Sequence, residues 1–116
     1  MKLLSRWFRH GSMSSSCIEP AALATRLERD DAPLILDVRG PDEFTGPLGH
    51  IRAATNVPLI ELPAHLHDLV RENRPVVVVC KAHRRSSMAA QQAGLSSGSV
   101  LRGGMERWRV LGLPAN

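Results

Sequence analysis

Aromatic side chains are scarce in this sequence. Trp7, Phe8, Phe44 and Trp108 are all it has, and there is no tyrosine. Its core must therefore be aliphatic. Basic and aromatic residues are not interleaved in the way that single-stranded nucleic acid requires, so no nucleic-acid partner is expected. Cysteine is nearly absent too. Cys17 and Cys80 cannot make a disulfide framework. One lies near the start of the chain and the other closes an apolar run, so no bridge between them is expected. A reducing, cytoplasmic setting fits that usage. No apolar run approaches the ~20 residues of a membrane span, so stable membrane insertion is not expected. There is no internal repeat.

What remains is enough for one core. A chain of 116 residues fits a single domain. The net charge of +4 is a modest basic excess that suits anionic ligands. The first 16 residues differ from the rest. Lys2, Arg6 and Arg9 alternate with Leu3, Leu4, Trp7 and Phe8, and a serine-rich stretch follows. A secretory signal needs a longer apolar region and a small-residue cleavage site. A short basic amphipathic turn suits contact with a membrane surface. Gly11-Ser12-Met13, however, resembles a cloning junction, so residues 1–16 read as a flexible leader or cloning remnant and residues 17–116 as the domain.

From there strand and helix patterns alternate. Pro20 to Arg29 reads as a helix, with Pro20 at its first position and Leu23 and Leu27 on one face. Leu34 to Val38 is a buried-strand pattern ending at Asp37 and Arg39. Pro41 to Phe44 starts a helical turn. Residues 53–58 hold a short strand. Leu59 to Asn73 is helical, with a break at Pro63 and an apolar face of Leu62, Leu66, Leu69 and Val70. Ser99 to Arg102 is another strand, and Gly103-Gly104 turns into a last helix carrying Met105, Trp108 and Leu111. This alternation implies an α/β fold with a parallel sheet between helices on both faces.

The chemistry concentrates in residues 75–90, PVVVVCKAHRRSSMAA. Four valines make a strand buried on both faces. Cys80 therefore sits at the C-terminal tip of a central strand, where open α/β sheets place their ligand sites. Lys81, His83, Arg84 and Arg85 follow at once. Ser86 and Ser87 can cap the helix after them. Loop N–H groups and a following helix N-terminus favour an anion. Together with the cations they also favour a thiolate. A core cysteine needs no cationic loop around it.

Three segments, LILDVRGPDEF followed by GHIRAATNVP, then VVVVCKAHRRS, then GGMERWRVLGLP, together resemble the rhodanese-like domain. The resemblance runs from Glu19 to Pro114. It implies a central, mainly parallel five-stranded sheet flanked by helices on both faces. It also implies a thiosulfate sulfurtransferase, with no metal or organic cofactor. Cys80 would take a sulfane sulfur from thiosulfate or another small anionic donor. The resulting persulfide would pass it to cyanide, a thiol or a protein acceptor. By position, Cys80 is then the nucleophile, and Lys81, Ala82, His83, Arg84, Arg85 and Ser86 form the substrate-binding loop. Asp37 and Arg39 give structural support, Arg39 with Glu43 as an expected ion partner, and His50 is a scaffold histidine. The sequence departs from the family pattern in three places. His83 stands where glycine is usual, Arg52-Ala53 replaces Pro-Gly, and the segment between Arg85 and Gly103 is about one helical turn short.

Two rival readings belong to other classes. A cysteine phosphatase of the related cell-cycle type uses a loop one residue longer than the six residues from Cys80 to Arg85. A non-catalytic binding or regulatory module often lacks the cysteine altogether. His65 and His67 do not face one another at i,i+2 on a helix, and no third ligand is apparent, so no metal is expected there.

Overall fold

The computed structural model describes residues 16–65, 68, 74–82 and 99–116. Five strands form one sheet: β1 (Ser16–Ile18), β2 (Leu34–Asp37), β3 (Thr55–Asn56), β4 (Val76–Val79) and β5 (Ser99–Leu101). Their order is β1-β5-β4-β2-β3, and every pair is parallel. Three helices are described from end to end, α1 (Pro20–Arg26), α2 (Pro41–Phe44) and α3 (Gly104–Val110), and a 3-10 turn over Leu59–Glu61 leads into a helical segment described over residues 62–65. This is the α/β architecture that the alternating patterns imply.

The valine run explains the centre. A β-branched residue packs well on a pleated surface, and β4 has neighbours on both edges. Its side chains alternate between two apolar clusters. Val77 and Val79 join Ile35, Leu101, Leu23 of α1, and Met105 and Trp108 of α3. Val76, Val78 and Cys80 join Leu36, Val38, Val57 and Leu62. The sheet is thus covered on one face by α1 and α3, and on the other by the segment that begins at the 3-10 turn. Each fully buried aliphatic side chain stabilises the fold by roughly 1.5–3 kcal/mol, so the sheet centre carries much of the fold's stability.

Some boundaries differ from the sequence expectation. Helix α1 ends at Arg26. Glu28 and Arg29 then make i→i+3 bonds to Thr25 and Arg26, a tightened last turn before Asp30 and Asp31. Pro63 does not break a helix. Residues 59–61 form the 3-10 turn and residues 62–65 are helical, so Pro63 sits in a first turn, where its missing N–H has no intrahelical partner to lose. The fifth strand is β1. Its first residue, Ser16, is the last of the stretch read as leader. Residues 1–15 lie outside the described residues, as do Leu66, His67, Leu69 and Val70.

Candidate active site

Strand β4 delivers Cys80 to the C-terminal end of the sheet. The register Asp37↔Val79 sets the tip of β2 beside it, and the Val38 N–H donates to the Val79 carbonyl at 2.9 Å. The Cys80 side chain continues the strand alternation into the second cluster and is 1 % exposed. Lys81 and Ala82, by contrast, are exposed. The chain thus passes within two residues from a sealed strand to the surface. His83, Arg84, Arg85 and Ser86 lie outside the described residues. Cys17 is exposed on β1, and no disulfide joins it to Cys80.

The last helix grips the site from its own first turn. The Met105 N–H donates to the Cys80 carbonyl at 2.9 Å, and the Glu106 N–H donates to the Lys81 carbonyl at 2.9 Å. These N–H groups would otherwise be orphans of the helix start. The close approach depends on Gly104. Its φ is +61°, in the left-handed region. A Cβ there would lie 2.5 Å from both the Cys80 and Lys81 carbonyl oxygens. The Lys81 ammonium also stands 3.9 Å from the Glu106 carboxylate, with both groups about half exposed. Such a surface pair contributes at most about 1 kcal/mol.

Beside this, Asp37 and Arg39 form a fully buried pair. Arg39 Nε donates to Asp37 Oδ1 at 2.9 Å and Nη2 to Oδ2 at 2.8 Å, the bidentate fork. The Arg39 main-chain N–H adds a third bond to the carboxylate. The rest of the guanidinium reaches the carbonyls of Glu43 and Gly49. Arg39 therefore pairs with Asp37, not with the Glu43 side chain as the sequence suggested; it meets Glu43 only through the main chain. In extended backbone, residues i and i+2 share a side, which favours Asp37. The Glu43 carboxylate instead accepts the Gly40 N–H and braces the start of α2.

His50 lies ring on ring with Phe44, centroids 3.8 Å apart, and its Nδ1 is 2.8 Å from the Phe44 carbonyl. Both contacts are scaffold contacts. Asn56, which the sequence did not single out, donates to the carbonyls of Asp37 and Arg39 and fixes the turn out of β2. A lone asparagine in a two-residue strand gives no signal of that role. Gly104 appeared in the sequence only as part of a turn; its contact with Cys80 is long-range. An apolar groove of about 490 Å³, lined by Ala24, Leu27, Ile51 and Trp108 among others, belongs to the face opposite Cys80. Among the described residues, no cluster of side chains could hold a metal ion. Nor is any described helix long and apolar enough to cross a membrane.

A family model described as the rhodanese-like domain matches residues 19–110. The chain belongs to the rhodanese-like domain family. An uncharacterized Bacillus subtilis protein, YqhL, is 38% identical over 77 residues, covering 64% of this chain and 59% of its own length. A second Bacillus subtilis protein, YrkF, provisionally named a sulfur carrier protein, is 32% identical over 85 residues, covering 71% of this chain and 44% of its own. This rhodanese-like chain therefore spans only about half the length of these curated relatives. Among solved structures, a rhodanese-related protein from Thermoplasma volcanium is similar with a TM-score of 0.72 and 29% identity, over 87% of this chain and 97% of that one.

Proposed function

We propose that this rhodanese-like domain is a sulfurtransferase in which Cys80 carries the sulfur. The observation that carries the reading is the placement of Cys80: a buried thiol at the C-terminal tip of the central strand, its own carbonyl and the next one tied back to α3. A similar protein bearing a sulfur-carrier name supports it.

The chemistry follows from the thiolate. Its sulfur attacks the outer, sulfane sulfur of thiosulfate. A new S–S bond forms, the sulfane–sulfonate bond breaks, and sulfite leaves with the bonding pair. Cys80 is then a persulfide. Cyanide or a thiolate attacks its terminal sulfur, the S–S bond breaks, and the Cys80 thiolate returns. No net oxidant or reductant is needed. Every species in the cycle is anionic, so preorganised N–H donors serve each step without moving. Lys81 adds a cation at the exit. In the proposed site, residues 81–86 supply the loop, and thiosulfate-like anions are the donors. A reducing, cytoplasmic compartment keeps such a thiol in its working form.

The loop length favours sulfur over phosphate. Cys80 to Arg85 is six residues, and the next position is Ser86, which cannot supply an arginine's bidentate fork. A phosphoryl group needs room for three equatorial oxygens. The test is a paired assay. The protein should turn thiosulfate and cyanide into thiocyanate and leave aryl phosphates untouched. Faster aryl-phosphate hydrolysis than sulfur transfer would replace this reading with the phosphatase one.

A further inference from the structure

We infer that Gly104 is a positioning residue for sulfur transfer, acting through the two peptide groups that follow Cys80; the inference rests on the proposed sulfurtransferase reading. A trans peptide is planar, so its C=O and N–H point in opposite directions. The Cys80 carbonyl is held by the Met105 N–H, and the Lys81 carbonyl by the Glu106 N–H. The peptide N–H groups of Lys81 and Ala82 belong to these same two planes. They are therefore aimed away from α3. Two neighbouring donors just after the reacting cysteine are thus held on the side away from α3 before any substrate arrives. Preorganised donors of this kind stabilise an anion best because nothing must reorient during the reaction.

Gly104 makes the arrangement possible twice over. Its φ of +61° is one that L side chains rarely adopt. Any Cβ would also strike both clamped carbonyl oxygens at 2.5 Å and the Lys81 carbonyl carbon at 2.6 Å. These are backbone atoms and cannot swing aside, so a side chain must push α3 off the two carbonyls and release both planes. Gly103 is the built-in control. Its φ is +76°, equally left-handed, but the atoms nearest a Cβ there are Cβ, Cδ and Cγ of Arg107, at 2.6, 2.8 and 3.2 Å, and not the clamped carbonyls. Gly103→Ala thus imposes similar backbone strain and crowds α3 at Arg107, one turn along, without striking either clamped carbonyl.

The test compares wild type, Gly103→Ala and Gly104→Ala. Sulfur loading from thiosulfate is followed by mass spectrometry, and amide signals are followed by NMR on ¹⁵N-labelled protein. In wild type, loading should shift the Lys81 and Ala82 amide protons more than the amide protons of strands β1, β2 and β5. In Gly104→Ala that response should vanish, and the loading rate should fall of the order of a hundredfold, the loss expected on removing a preorganised donor. Gly103→Ala should keep both. Wild-type loading rate in Gly104→Ala, or an equal loss in both variants, would overturn the inference. If Gly104→Ala does not fold, the wild-type spectra decide: unmoved Lys81 and Ala82 signals on a loaded protein refute it. A wild-type protein that takes up no sulfur is a different failure, that of the sulfurtransferase reading itself.

Discussion

Cys80 and the Asp37–Arg39 pair divide the work at the scale of single residues. Cys80→Ser should abolish thiocyanate formation and leave the melting temperature close to wild type. A hydroxyl is a poor nucleophile without an adjacent base, and the change in volume is small. Cys17→Ser should leave turnover unchanged, since Cys17 sits on the edge strand β1. Loss of activity in the Cys17 variant with retention in the Cys80 variant would reverse the assignment. Asp37 acts differently. Its carboxylate neutralises a guanidinium that is 1 % exposed. Asp37→Leu leaves that charge buried alone and should cost about 3–5 kcal/mol in urea unfolding. Adding Arg39→Leu should recover part of the loss, because no orphan charge remains. A double variant whose loss equals the sum of the two single losses would show that the pair is not coupled.

Among the elements, the C-terminal arm is the most testable. Trp108 Nε1 donates to the Pro114 carbonyl at 2.8 Å. Asn116 exchanges main-chain bonds with His50, at 2.9 and 3.2 Å. Deleting Ala115 and Asn116 removes the His50 bonds and should lower stability by about 1–3 kcal/mol, read as a lower urea midpoint at unchanged slope. An unchanged midpoint would show that the arm is dispensable. The elements also show what a sequence can and cannot disclose. The valines of β4, Pro20 at the start of α1 and the Gly103-Gly104 turn are local signals, and each names its element. Strand β1 has only three residues and no alternation to read, and it exists because β5 offers it a partner. The partner of Arg39 is set by side-chain direction at the tip of β2, with carboxylates available on both sides in sequence. The clamp from α3 onto Cys80 joins segments far apart in the chain, so no local pattern encodes it. His83, the main departure from the family pattern in the loop, falls outside the described residues.

For the molecule as a whole, charge and the central strand set the behaviour together. In the proposed reaction, the net charge of +4 and the exposed Lys81 at the exit would attract an anionic donor over distances that salt screens. The KM for thiosulfate should therefore rise with ionic strength while kcat stays nearly constant. A KM insensitive to salt would remove Lys81 and the basic excess from donor capture. The central claim, however, is that one thiol carries the sulfur. Its most direct test is intact-protein mass spectrometry after incubation with thiosulfate, followed by peptide mapping and by a cyanide chase. The account predicts one added sulfur atom, located on Cys80 and removed by cyanide. An unchanged mass, or a sulfur found on Cys17 with Cys80 unmodified, would contradict it.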